Sequence, residues 1–78
     1  MRGRGQPLVL AERHAPLGPD TFVRLAGEQD DAGRVTVAVY VERTGAQAAE
    51  PVLRIGPTAA GELARGLVAL AGVLGGRS

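Results

Sequence analysis

Seventy-eight residues are enough for one domain with a thin core, because a chain this short removes only about 60 to 65% of its unfolded surface from water. Hydrophobic residues make up 45% of the sequence, but it holds one Phe, one Tyr and no Trp, and the lack of Cys excludes a disulfide framework and a thiolate metal site. The net charge of +1 excludes a strong electrostatic bias toward nucleic acid, although all nine basic residues are Arg. Self-association is the remaining support for so small a fold, so we expect a homodimer.

The two ends of the chain set the expected domain limits and location. Residues 1–6, MRGRGQ, have no apolar periodicity and are predicted to form a flexible Arg/Gly arm before a single small domain at residues 7–76. The apolar run at residues 8–11 is too short for a signal peptide, and the run at residues 67–74 is shorter than the ~20 residues that span a bilayer. We therefore expect a cytoplasmic protein without a membrane span.

Three strands are predicted in the first half of the chain. The first is PLVLAER, residues 7–13, and the Pro- and Gly-containing segment HAPLGPD, residues 14–20, is predicted to be irregular. The second strand is TFVRLAGE, residues 21–28, and QDDAG, residues 29–33, supplies the Asp and Gly that a chain reversal needs. In RVTVAVYVER, residues 34–43, every second residue is Val, which predicts a half-buried third strand.

The last part of the sequence predicts a short strand and a helix. VLRI, residues 52–55, is the fourth strand, and Pro57 suits the first position of a helix. Five apolar residues then recur at spacings of three and four and form one stripe, here called the leucine stripe: Ala60, Leu63, Leu67, Leu70 and Leu74. The predicted fold is α+β, a four-stranded antiparallel meander followed by one C-terminal amphipathic helix packed on one sheet face. We expect the helix to cover the valine side and leave the other side open.

The side of the sheet that is expected to be open collects arginines and aromatic rings. If the second and third strands pair with their valines aligned, residues whose numbers sum to about 60 face each other, which places Arg24 opposite Thr36. Similar pairing of the fourth strand places Arg54 opposite Tyr40. The candidate binding face then consists of Arg13, Phe22, Arg24, Arg34, Tyr40 and Arg54, with Glu42 as its single acid.

Such a face suits two kinds of partner. Single-stranded nucleic acid is bound by arginines that contact phosphates and by flat rings that stack on bases. A second copy of the chain or another protein is the other, since Val9, Phe22, Ala38 and Tyr40 provide apolar area with arginines at the rim. A plain solvated surface is the third interpretation.

Residues that support catalysis are scarce. His14 is the only His and lies in the Pro/Gly segment, and Ser78 is the only Ser. Asp30 and Asp31 lack the spacing of a calcium loop, and no phosphate-loop or dinucleotide fingerprint occurs. We therefore predict no catalytic residue, no metal and no cofactor, and we do not expect an enzyme.

The segment LRIGPTAAGELARGLVAL, about a quarter of the chain, resembles a strand-helix ending of small uncharacterised proteins of high-GC actinobacteria. That ending reads L-R-L-T/S-P followed by E-x-A-x-E-L-A-x-x-L. The matching residues are Leu53, Arg54, Ile55, Pro57, Glu62, Leu63, Ala64 and Leu67. Gly56 replaces the usual Ser or Thr cap, and Ala59 and Gly61 also depart from the pattern. The resemblance implies a shared architecture without a known activity.

The β-β-β-β-α order is similar to the single-stranded-DNA-binding coactivator and whirly fold, in which dimers bind through their sheets. This resemblance is topological and carries over no functional residue. Together these observations favour a small non-enzymatic binding or regulatory module that acts through protein–protein contact as a homodimer. Single-stranded nucleic-acid binding is the alternative, and a peripheral membrane anchor formed by the helix is a third possibility.

Overall fold

The computed structural model describes residues 7–76, so the predicted arm at residues 1–6 lies outside the described part of the chain. Its elements, in chain order, are β1 (Leu8–Pro16), β2 (Thr21–Gln29), β3 (Val35–Arg43), β4 (Leu53–Ile55) and α1 (Pro57–Gly75). The four strands form one antiparallel sheet in the order β1-β2-β3-β4. The predicted α+β meander followed by a single C-terminal helix is confirmed.

The first strand is longer than predicted, because it continues through His14 and Ala15 to Pro16. Pro16 is tolerated there since β1 is an edge strand, where a missing N–H removes no bond inside the sheet. The register with β2 shifts between Val9 and Ala11, which indicates a bulge. The prediction of irregular structure from residue 14 onward was therefore wrong for the three residues 14–16.

The turn between β2 and β3 fixes the register of the central hairpin. One carboxylate oxygen of Asp30 accepts the N–H groups of Ala32 and Arg34, both at 2.9 Å, and Gly33 has a φ of +87°. This turn places Arg24 opposite Tyr40, whereas the sequence predicted Thr36 at that position. The predicted register was thus wrong by four residues. Because four is even, each residue of β2 and β3 still lies on the face to which it was assigned.

The fourth strand also pairs two residues away from the prediction. Arg54 lies opposite Ala38 and not opposite Tyr40. Leu53 pairs with Val39 and Ile55 pairs with Val37, so the apolar residues of β4 lie on the valine side of the sheet as expected.

The side of the sheet that was predicted to be open is the side that is buried. The buried residues are Arg24, Ala26, Glu28, Ala38, Tyr40 and Glu42, and all of them lie on the side that was expected to be open. The other side, here called the valine face, is half-buried or exposed along its whole length. It consists of Val23, Leu25, Val35, Val37, Val39, Val41, Leu53 and Ile55.

The helix explains why the valine face is not covered. Its nineteen residues include no buried one, and its contacts with the sheet are chiefly with β3. Exposure along the leucine stripe rises from 45% at Leu63 to 61% at Leu74, so the helix leaves the sheet as it proceeds. The expectation that this stripe is buried on the sheet of the same chain was wrong. By length and composition alone the helix is also apolar enough to cross a membrane.

The Asp30–Arg34 turn generates a stability prediction. Gly33→Ala should lower the free energy of unfolding by about 1 to 2 kcal/mol, because a residue with a Cβ is strained at positive φ. Gly18→Ala is the matched control, since its φ is not positive and an added Cβ meets no atom within 4 Å. Urea unfolding of both variants checks this; equal effects at the two sites would contradict the turn geometry.

Candidate functional site

Arg24 is the centre of a network of ionised side chains on the buried side of the sheet. Its Nε and Nη2 groups donate to one carboxylate oxygen of Glu42, at 3.0 and 2.8 Å. Its Nη1 group donates to Glu12 of β1 at 3.3 Å. The guanidinium therefore joins three strands, because Glu12, Arg24 and Glu42 belong to β1, β2 and β3.

Tyr40 connects this centre to a second ion pair. The guanidinium carbon of Arg24 lies 3.9 Å from the centroid of the Tyr40 ring, a cation–π contact. The Tyr40 hydroxyl donates to Glu28 at 2.7 Å, and the other oxygen of Glu28 accepts Nη1 of Arg54 at 2.6 Å. Arg54 also donates to the hydroxyl of Thr36 at 3.3 Å. The chain of contacts thus extends from β1 to β4.

The segment between β3 and β4 covers part of this network. The backbone N–H of Ala48 donates to Glu42 at 3.0 Å, and the Ala48 side chain packs against the small core of Ala26, Ala38 and Tyr40. Within residues 7–76 every buried polar side-chain atom has a hydrogen-bond partner. A buried charge without partners costs several kcal/mol, so this saturation is what permits the charges to be buried.

The pKa shifts follow from these contacts. The Arg24 guanidinium holds the pKa of Glu42 below its ordinary value, and the N–H of Ala48 adds to this effect. Burial raises the pKa of Tyr40, and its hydrogen bond to Glu28 raises it further. Hydrogen bonds to Glu42 and Glu28 raise the pKa values of Arg24 and Arg54, respectively. Glu42 and both arginines therefore stay charged, and Tyr40 stays neutral, throughout the physiological pH range.

The structure brings together only part of the predicted binding face. Arg24, Tyr40 and Arg54 belong to one network, as described above. Phe22 lies at the end of the same side of the sheet, where its ring is 5.6 Å from the ring of His14. The remaining two residues do not join them.

Arg13 and Arg34 are the two corrections to that face. Arg13 pairs with Leu25 and therefore lies on the valine side of the sheet. Arg34 precedes β3 in the turn, where its backbone N–H and C=O bond to Asp30, and it is not opposite Ala26 as predicted. The bulge at Val9/Ala11 and the true turn length account for these misplacements.

Sequence reasoning missed Glu12 and Glu28, the carboxylates that pair with Arg24 and Arg54. Glu28 lies an even number of residues from Arg24 in β2, so the alternation of a strand places both on one side. That signal was available in the sequence. Glu12 could not be placed in the same way, because the bulge in β1 changes which residues of that strand share a face.

The arginines that nucleic-acid binding would require are already paired with carboxylates in this network. Arg24 and Arg54 face three carboxylates, those of Glu12, Glu28 and Glu42, so this side of the sheet carries no excess of positive charge there. Phosphate contacts need cations in excess to release counterions. Single-stranded nucleic-acid binding remains a prediction, to which this geometry adds no support.

The second feature is the set of exposed apolar side chains on the valine face and on the helix. The valine face contributes Leu25, Val35, Val41 and Leu53, each exposed by more than a third, and the helix contributes the leucine stripe. The valine face and the leucine stripe together are here called the apolar surface. Monomeric soluble proteins seldom expose apolar patches larger than a few hundred Å², so this surface is a candidate contact site.

Metal binding receives no support from the part of the chain that the structure describes. No group of three or more His, Asp and Glu side chains within residues 7–76 is placed to hold a metal ion. Asp30, one of the acids of the β2–β3 turn, accepts backbone N–H groups, which is the role of a turn-forming Asp.

The comparisons with known proteins add no family to this picture. No protein-family model, no curated protein and no solved structure matches the chain. The resemblance to the actinobacterial strand-helix ending and the topological resemblance to the whirly fold therefore remain predictions, and function has to be argued from the two surfaces described above.

The network predicts unequal roles for its two arginines. Arg24→Met should lower the free energy of unfolding by about 3 kcal/mol, because it leaves the buried carboxylate of Glu42 without its charged partner. The side chain of Arg54 is 43% exposed, and its partner Glu28 keeps the hydrogen bond from the Tyr40 hydroxyl, so Arg54→Met should cost only about 1 kcal/mol. Chemical unfolding of the two variants checks the order, and an equal or larger loss for Arg54→Met would contradict it.

The lowered pKa of Glu42 predicts a loss of stability in acid. The folded state binds this proton less readily than the unfolded chain, whose Glu titrates near 4.5, so the contribution of Glu42 is complete above that pH and lost as the pH falls through the folded pKa. The difference in unfolding free energy between the natural chain and Glu42→Gln should therefore shrink below about pH 4.5. Glu50→Gln, at an exposed loop residue, is the matched control. A difference that stays constant down to pH 2 would contradict the assignment.

Proposed function

We propose that this chain is a small non-enzymatic module that acts through protein–protein contact, and that its first partner is a second copy of itself. The observation that carries the proposal is the apolar surface: most of the exposed large apolar side chains lie on the valine face and the helix, and the buried core of residues 7–76 is limited to two Ala and one Tyr. A single copy leaves this surface in water, whereas a partner removes it.

The exposed area supports a partner of substantial size. Within residues 7–76, fifteen Leu and Val side chains are at least 36% exposed, and ten of them belong to the valine face or the helix. A chain whose core holds only two Ala and one Tyr gains more from covering these side chains than from the core that it buries alone. The elongated shape, 51 by 31 by 17 Å, is consistent with a chain that is compact only when paired.

The pattern of the helix supports a protein partner more than a membrane. The leucine stripe follows a strict alternation of three and four residues from Ala60 to Leu74, the spacing of a seam that packs against another protein element. Ala64 and Ala71 flank the stripe on one side, so nothing charged interrupts it. Glu62 and Arg65 pair with each other at 3.0 Å away from the stripe, where they keep the opposite side of the helix in water.

The ion-paired side of the sheet is a poorer contact site than the apolar surface, which supports the same proposal. Its arginines already have carboxylate partners, so a second protein gains little there, and the apolar surface on the other side is where burial releases most free energy. Contact through the valine face and helix replaces the predicted contact through Val9, Phe22, Ala38 and Tyr40, of which Ala38 and Tyr40 are buried within the chain.

The proposal predicts a dimer that one charge disrupts. Light scattering or sedimentation at tens of micromolar should give twice the 8.0 kDa chain mass, and Leu67→Glu, which places a charge in the middle of the leucine stripe, should give the mass of one chain. Ala69→Glu is the matched control, because it adds the same charge to the same helix on the side away from the stripe and should leave the dimer intact.

Two results would overturn the proposal. The first is a natural chain of monomer mass at these concentrations, which would leave the apolar surface without its partner. The second is equal behaviour of Leu67→Glu and Ala69→Glu. Co-sedimentation of a monomer with phosphatidylcholine vesicles, lost in Leu67→Glu, would assign the helix to a membrane surface instead.

A further inference from the structure

One chain carries two apolar elements that match each other but cover each other only slightly. The leucine stripe of α1 and the valine face are both exposed, although the helix begins two residues after the end of β4 and contacts β3. In a sheet with one helix, the helix usually lies across its own sheet. The joint between β4 and α1 bears on why it does not do so here.

The joint is a single residue, Gly56, between Ile55 of β4 and Pro57 of α1. A residue that precedes proline is disfavoured in the helical region, and Gly56 is extended, with a φ of −72° and a ψ of 164°. A connection of one extended residue is shorter than the two or three residues that usually join a strand to a helix packed on the same sheet. The helix that follows it has no buried residue and does not return onto the sheet of its own chain.

The dimensions of the two elements match. The helix has nineteen residues and is about 28 Å long. Strands β2 and β3 have nine residues each and are about 30 Å long. A helix of this length covers the central hairpin from end to end, and a helix about 10 Å in diameter is about as wide as two strands that lie about 4.8 Å apart.

The glycines of the helix support close contact with another chain. A Cβ added at Gly61, Gly66 or Gly72 meets no atom within 4 Å, so nothing inside the chain requires glycine there, although each costs the helix about 1 kcal/mol relative to Ala. Gly66 lies beside the leucine stripe, between Leu63 and Leu67. A glycine at the border of a contact stripe lets the facing backbone approach closely.

We propose that two copies exchange their helices, so that α1 of each chain lies with its leucine stripe on the valine face of the second copy. The exchange rests on the proposed function, because it specifies how the two copies contact each other. It buries both halves of the apolar surface at once, and it leaves the ion-paired side of each sheet facing outward. A copy of the same chain is the partner that supplies both a matching helix and a matching sheet.

Cysteine cross-linking tests this arrangement cleanly, because the natural sequence has no Cys. One variant carries Leu70→Cys in the leucine stripe and the other carries Val39→Cys in the centre of the valine face. The two are mixed in equal amounts, unfolded and refolded together, and then oxidised. Trypsin cuts after Arg34, Arg43 and Arg65, so residues 39 and 70 lie in different peptides and the linked pair is identified by its mass.

The linked peptides distinguish the possible arrangements. Helix exchange should give mainly the 39–70 disulfide, at least several-fold above the 70–70 and 39–39 products, and these two residues are on different chains by construction. A predominant 70–70 product would mean that the helices pair with each other, and a predominant 39–39 product would mean that the sheets stack; either result overturns the exchange while the dimer stands.

A double variant and a matched control complete the test. In a chain that carries both Leu70→Cys and Val39→Cys, exchange should give a cross-linked dimer, whereas a monomeric product with an internal disulfide would show that the helix lies on its own sheet. Ala69→Cys with Val39→Cys is the control, because residue 69 is turned away from the stripe and should cross-link several-fold less. Monomer mass without any cross-linking would instead contradict the proposed function itself.

Discussion

The guanidinium of Arg24, held between the carboxylate of Glu42 and the ring of Tyr40, is the interaction on which the rest of the structure depends. A charge in this position is acceptable only while its partners are in place, because its water has been removed. The partners come from the two neighbouring strands, β1 and β3, so they meet Arg24 only when the three strands pair in the observed register. A shift of β3 by two residues would take the Tyr40 ring away from Arg24, so the network helps to fix the register and also stabilises the fold.

This interaction also decides which side of the sheet is covered. The β3–β4 segment lies over the charged side because its backbone supplies the hydrogen bond that completes Glu42. The apolar residues are left on the other side, and the helix that follows the single-residue joint at Gly56 does not cover them. This arrangement is unusual for a small α+β domain, because the charged side of the sheet is buried within one chain and the apolar side is exposed and open to contact.

The sequence predicted the elements and the sides of the strands well, and it predicted register and burial poorly. Alternation in RVTVAVYVER identifies which residues share a side, but it does not say which side is buried. The turn was centred two residues too early because the Asp30 carboxylate, and not the Gly alone, determines its length. The helix was recognised from the leucine stripe, yet its direction depends on a Gly-Pro step whose effect is geometric and does not appear as a periodicity.

The candidate site shows the same limit. Arg24, Tyr40 and Arg54 were correctly assigned to one side of the sheet, but the carboxylates of Glu12, Glu28 and Glu42 remove the excess of positive charge that was expected there. The carboxylates were visible in the sequence, and what was missing was the bulge in β1 and the pairing of β2 with β3. A sheet face that carries arginines is basic only where acids on the same side do not pair with them.

The position of Tyr40 has a practical consequence. It is the only tyrosine in a chain without tryptophan, so the ultraviolet emission and the near-ultraviolet circular dichroism of the molecule come mainly from one ring. That ring is stacked under a guanidinium and bonded to a carboxylate in the middle of the sheet. The optical signal of this molecule therefore reports on its ion pairs and gives almost no information on its helix, so the two halves of the fold can be followed separately by choosing the wavelength.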